Sequence, residues 1–227
     1  MTSDPSDTNE GAEDAESKRK HQTELTARRV PRQPRAQATV QHILQSALKV
    51  IEDGGLDRLT TNHIAAASGM SVGTLYVYFP NKEAILYALL GQWLADLIEA
   101  IDGCHPRHGD ARDILTYTKQ IVSGCAVLYE KQPGMGALFG MLGAMPALEE
   151  LDRKYERAAL ESLSSAFRSF VPQAPQADID AISQCVLHMV HEVLTLAYFR
   201  KTAESANLLN YLQAALMAMS SRLLMAS

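Results

Sequence analysis

Five residues, Gly69-Met70-Ser71-Val72-Gly73, fit the G-x-S-x-G spacing in which a serine on a strained turn becomes a hydrolase nucleophile. That chemistry needs a β-strand leading into the serine and a helix leaving it. The residues before Ser71, TTNHIAAAS, show no period-two alternation and only one strongly β-prone apolar residue, Ile64. They read as a short helix, with Ser71 as the cap of another. A short helix, a turn containing glycine and a second short helix form a helix-turn-helix. A serine hydrolase using Ser71 is therefore a remote alternative, and no catalytic set is assigned.

The chemistry expected of this stretch is nucleic-acid recognition. Val72, Gly73 and Thr74 are small, so the backbone can approach base edges, a methyl can meet thymine's C5-methyl, and the Thr74 hydroxyl can donate or accept. Tyr76 and Tyr78 carry hydroxyls on rigid arms suited to phosphate oxygens, and Lys82 adds a charge. Leu75 and Phe79, four apart, face the other way as anchors. The competing reading is that both tyrosines merely cover the small core.

Two other groups of residues invite chemistry. Cys104, His105 and His108, in DGCHPRHGD, have ligating atoms, but no second His/Cys pair at ligand spacing is nearby, so a solvated loop is expected and no metal. GMGALFGMLGAMP spaces its glycines as G-x-G-x-x-x-G, which misses the dinucleotide fingerprint and lacks a preceding strand, so no cofactor is expected.

The elements that must position these residues read as helices throughout. Ala, Leu, Gln, Glu and Met are abundant, and only 6% of residues are aromatic, which points to an all-α chain of about nine helices. From Ala36, Val40, Ile43, Leu44, Ala47, Val50 and Ile51 recur at helical steps up to Gly54-Gly55. Thr60 or Thr61 offers an N-cap for a second helix over 62–67, and Gly69 supplies the turn. The third helix runs to about Tyr78. Pro80 stops it and Asn81 caps a fourth that continues through Trp93, Leu97 and Ile101.

Charge is distributed unevenly. The net −5 conceals a run of six acidic residues within 1–16 followed by a basic stretch, Lys18 to Arg35, with a net +6. The first segment reads as a disordered tail, the second as a mobile basic arm of the kind that reaches phosphates or a minor groove; a solubilising tail is the alternative. Pro31 and Pro34 are expected to keep the arm out of helix. Three widely spaced cysteines suit free thiols in a reducing compartment. The start lacks an apolar export segment, and eighteen uninterrupted apolar residues occur nowhere, so a cytoplasmic protein with no membrane partner is expected.

Across residues 36–90 the sequence resembles the TetR family of bacterial transcriptional repressors. The resemblance rests on Ile43-Leu44, Ala47, Gly55, Thr60-Thr61, Ile64-Ala65, Gly69, Ser71 to Tyr76, Tyr78-Phe79, Asn81-Lys82-Glu83 and Leu86, in the family's order and spacing. It implies a homodimer whose recognition helices enter successive major grooves of a palindromic operator in double-stranded DNA. Thr61, Ser71, Val72, Gly73, Thr74, Tyr76, Tyr78 and Lys82 would touch DNA, joined by Arg35 of the arm and by Asn62, where the family varies.

The remaining helices are read by pattern: a fifth over 110–130, a short flexible sixth lined by Met135, Phe139, Met141, Leu142 and Met145, and a seventh opened by Pro146. The eighth is apolar around much of its circumference and the ninth is striped by Leu208, Leu212, Leu216 and Leu223. In the family these last two pair with their mates in a dimer. His188, His191, Glu192 and Thr195 form a polar stripe that lines a cavity, lies at the dimer seam or faces water.

The family layout favours a pocket over a Met-rich core without ligand. The candidate pocket residues are Trp93, Leu97, Tyr117, Ile121, Phe139, Met141, Met145, Tyr155, Met189 and Glu192. The expected organisation is a tail and arm over 1–35, a three-helix DNA-binding head over 36–87, and an effector-binding and dimerisation domain over 88–227. The expected function is a ligand-responsive repressor released by a small hydrophobic effector. A constitutive DNA-binding regulator is the alternative.

Overall fold

The computed structural model describes residues 33–108, 111–200 and 205–226, and every regular element among them is helical. The acidic tail, and the basic arm up to Arg32, lie outside the described residues. The chain divides into two compact units between Leu89 and Leu90, two residues beyond the expected boundary.

The first unit contains α1 (Pro34–Gly54), a 3-10 turn (Leu56–Arg58), α2 (Thr61–Ser68), α3 (Val72–Tyr78) and the start of α4 (Lys82–Gly103). α1 begins two residues earlier than expected. Proline's fixed φ and missing N–H cost nothing in a first turn, so Pro34 opens the helix rather than blocking it. Arg35 consequently sits on the first turn of α1, exposed, and not on an arm. The core of this unit is Ile43, Leu44, Ala47, Ile51, Leu59, Ile64, Leu75, Phe79 and Ile85, all nearly or wholly buried. Burial of such a set is the main force holding α2 and α3, each too short to be stable alone, against α1.

The second unit contains the rest of α4, then α5 (Ile114–Lys131), α6 (Met135–Phe139), a 3-10 turn (Leu142–Ala144), α7 (Pro146–Phe170), α8 (Gln176–Leu194) and α9 (Ser205–Ala226). α8 continues into one π-helical turn, Thr195–Phe199. α5 starts at Ile114, four residues later than expected, because Asp113 caps it by accepting from the Thr116 N–H at 2.8 Å. α7 packs on α8, and α9 packs on both α5 and α8.

The outer face of α8 differs from the expectation, whereas the stripe of α9 falls where it was expected. On α8, Ile179, Ile182, Val186, Val190 and Leu194 are buried, whereas Gln184, Cys185, His188 and Glu192 are exposed, so its apolar side is already used within the protomer. α9 keeps an apolar outer face: Tyr211, Ala214, Met217, Ala218 and Met225 are exposed opposite the buried Leu212, Leu216 and Leu223. α4 is long and apolar enough to cross a membrane by length and composition alone, but Ile85, Leu86, Leu90, Trp93 and Ile101 are core residues.

Candidate DNA-binding face and effector cavity

Ser71 is a helix cap. Its Oγ accepts the Thr74 N–H at 3.0 Å and shares a 2.9 Å hydrogen bond with Thr74 Oγ1. The element before it is α2, and no strand feeds the serine, so the geometry of a nucleophile elbow is absent here. α2 is capped by Thr60, whose Oγ1 accepts the His63 N–H at 3.1 Å, which settles the choice between the two threonines. α2 ends at Gly69, whose φ of 65° is the left-handed cap that a side chain would strain. The His42 ring donates from Nε2 to the Ser68 carbonyl at 3.0 Å, tying α1 to the end of α2 just before the turn.

These constraints fix which side of α3 faces out. Leu75 and Phe79 are fully buried, so Gly73, Thr74, Tyr76 and Val77 are exposed, with Val72 and Tyr78 half-buried. Val77, 53% exposed, belongs to this face although the sequence reading passed over it. An apolar residue carries no sign of which face it occupies, and the burial of Leu75 fixes it here. Asn62 and Lys82 are exposed, Thr61 is half-buried, and Asn81 Oδ1 accepts the Ala84 N–H at 2.8 Å to start α4 beside Lys82.

In the second unit a cavity of about 190 Å³ opens between α4, α6, α7 and α8. Trp93, Leu97, Phe139 and Tyr155, four of the expected pocket residues, line it. Ile121 lines a narrow neighbouring cleft that shares Leu97, Leu187 and His191 with the cavity. The other five lie elsewhere. Tyr117, in the first turn of α5, is buried against Phe167 and Phe170 in the last turn of α7, with ring centroids at 5.6 and 5.5 Å. Met141 and Met145 flank the 3-10 turn, half-buried and outside the lining. Met189 is half-buried outside the lining, and Glu192, one turn beyond His188, is exposed and does not reach it, whereas His188 and His191 do line the cavity.

The polar stripe of α8 is thus divided: His188 and His191 border the cavity and Glu192 faces water. Tyr129 and His191 share a 2.6 Å hydrogen bond through Oη and Nδ1. Burial pushes the Tyr129 phenol above its ordinary range and the His191 ring below its own, so both stay neutral. An aromatic cluster surrounds this pair. The Trp93 ring centroid is 5.0 Å from Tyr129 and 4.8 Å from Phe139, both edge-on, and Phe199 of the π turn stacks on Tyr129 at 5.0 Å. Phe199 closes the π turn, a local widening often found beside functional sites.

Sequence reasoning also missed Asp152 and Glu156, which line the cavity from α7. In ALEELDRKYERAALESL they look like members of a solvated face. Their one available signal was position, beside the stripe Leu148, Leu151, Tyr155 and Ala159.

The loop after α4 is less solvated than expected. His105 is buried and shares a 3.3 Å hydrogen bond between Nε2 and Ser165 Oγ, while Arg107 pairs with Asp102. Burial, then the nearby Arg107 guanidinium, holds the His105 ring below its ordinary range.

A helix-turn-helix with an exposed, small-residue recognition face, followed by a helical unit built around a cavity, defines a DNA-binding transcriptional regulator. Comparison with known proteins makes this specific. The chain matches the profile of the bacterial regulatory proteins of the tetR family over residues 43–89 and that of the tetracyclin repressor-like C-terminal domain over residues 113–219. The chain belongs to the TetR family, whose members are transcriptional regulators and not enzymes.

Among its relatives are the uncharacterized HTH-type transcriptional regulator YvdT of Bacillus subtilis and that organism's fatty acid metabolism regulator protein. The first is 37% identical over 68 residues, 30% of this chain and 34% of the relative. The second is 35% identical over 60 residues, 26% of this chain and 31% of the relative. The chain thus spans about a third of the length of these relatives. The fold is shared more widely: the fatty acid degradation regulator FadR of Bacillus halodurans superposes with a TM-score of 0.64 at 20% identity, covering 82% of this chain and 96% of that one. A transcriptional regulator from Rhodococcus sp. Rha1 gives a TM-score of 0.65 at 17% identity with the same coverage.

Proposed function

We propose that the protein is a cytoplasmic, homodimeric repressor that binds a palindromic operator and is released by a small, largely apolar effector. The observation that carries this reading is the outward face of α3, where Gly73, Thr74, Tyr76 and Val77 are exposed while Leu75 is fully buried. Base contacts fall to Val72, Gly73, Thr74 and Val77, and phosphate contacts to Ser71, Tyr76, Tyr78, Lys82, Thr61 and Arg35. Asn62 stands beside Thr61 at the start of α2. A second copy is expected on the apolar face of α9 with the polar face of α8 beside it, which sets the half-sites about 34 Å apart or somewhat more.

The effector occupies the cavity beside Trp93 and Leu97. Both belong to α4, whose first turns lie in the head, so a ligand that moves α4 alters the head's fit to DNA. Release requires weaker effector binding to the DNA-bound state, and a coupling of about 1–3 kcal/mol would loosen DNA roughly five- to 150-fold.

The test is selection and sequencing of genomic DNA fragments by the purified protein at moderate salt, alongside Tyr76→Ala. A palindrome enriched by the wild type and not by the variant is the expected result. Absence of any enriched sequence with either protein would overturn the operator reading.

A further inference from the structure

We infer that the cavity selects a cationic effector, an ammonium carried on a compact apolar or aromatic body. This rests on the reading of the cavity as an effector site and adds the charge of its ligand.

The argument begins with the two carboxylates. Asp152 and Glu156 lie one turn apart on α7 and both line the cavity. Like charges at this spacing destabilise a helix, and partial burial costs each of them hydration. The cost needs a compensating cation, and among the described lining residues there is no Lys or Arg. The basic side chains present are both histidines. His191 is already engaged by Tyr129. His188 Nε2 stands 3.4 Å from Glu156 Oε1 and pairs with it only when protonated. The same His188 is the basic group that acts on Asp152, so one imidazole is shared between two carboxylates, while the neighbouring Lys154 is exposed and rests 5.8 Å from the Tyr155 ring centroid without lining the cavity.

The remaining walls suit the same ligand. Trp93, Phe139 and Tyr155 bring aromatic rings to the cavity. An ammonium that is partly desolvated among aromatic faces is attracted by their quadrupoles, and an apolar body covers Leu97 and Ile98. A carboxylate ligand would meet two like charges there.

Trp93 is the sole tryptophan of the chain, so its fluorescence reports on the cavity without a label. The experiment titrates the full-length protein with three probes of similar size: benzyltrimethylammonium, 3-phenylpropanoate and 3-phenylpropan-1-ol. The ammonium should bind about tenfold or more tighter than the alcohol, a difference of about 1.4 kcal/mol, and the carboxylate weakest of the three. The ratio of ammonium to alcohol affinity should fall towards one in Asp152→Asn/Glu156→Gln, and part of the way in Glu156→Gln alone, with circular dichroism showing retained helix in each.

An alcohol that binds as tightly as the ammonium overturns the charge inference and leaves the cavity reading standing. A preference that persists in the double variant overturns the assignment to these carboxylates. No saturable change with any probe overturns both the inference and the cavity reading.

Discussion

Tyr129 on α5 and His191 on α8, 62 residues apart in sequence, are joined by a hydrogen bond of 2.6 Å beside the cavity. Tyr129 is 1% exposed, so its hydroxyl has little access to water in place of His191. Tyr129→Phe keeps the ring and leaves Nδ1 unpaired, at a cost of about 1–3 kcal/mol. A melting temperature lower by about 2–4 °C for each kcal/mol is expected. An unchanged melting curve would show that the bond contributes nothing to stability.

Acid should destabilise the protein through the same histidine. Burial holds His191 below its ordinary value of 6.5, so the unfolded chain takes up the proton first. Stability is therefore full above that value and is lost as pH falls through and below it. His105, held low in the same sense, adds to the slope. Thermal melts at pH about 7.5 and about 5.5 should differ less in His191→Gln than in the wild type. Equal differences would place the titration elsewhere.

Ser71→Ala removes the cap of α3 and the Thr74 Oγ1 partner together. The expected loss is about 1 kcal/mol of stability, read from urea unfolding, together with weakened DNA binding. Esterase turnover abolished by this substitution would instead revive the nucleophile reading.

Gly136 leaves room for Phe199. A Cβ at Gly136 would stand 2.6 Å from Phe199 Cβ and 2.8 Å from its Cγ, too close for either to remain in place. Gly136→Ala should cost about 1–3 kcal/mol and displace the stacked Phe199 from Tyr129. Near-wild-type stability with unchanged Trp93 emission would contradict that packing.

The apolar face of α9 predicts the oligomeric state. Ala218→Arg places a charge among the exposed Tyr211, Ala214 and Met225. Sedimentation equilibrium should show a dimer for the wild type and a shift towards monomer for the variant, with helix content kept. A variant that remains dimeric would exclude this face as the contact.

Local chemistry by itself determined the DNA-binding head. Caps, the glycine turn and the spacing of Leu75 and Phe79 act within a few residues of one another, so Ser71, Gly69 and Asn81 could be assigned from their neighbours, and the cap of α2 was narrowed to Thr60 or Thr61. The order of the later helices was legible for the same reason, in their apolar periods and proline breaks. The cavity depended on distances that no local pattern records. Whether Trp93, Tyr155 or Tyr117 faces the cavity depends on helix rotation, which is set by packing among segments tens of residues apart. Tertiary structure alone brought Asp152 and Glu156 to an aromatic cavity, because a charged residue beside an apolar stripe reads as solvated until its facing helix is known.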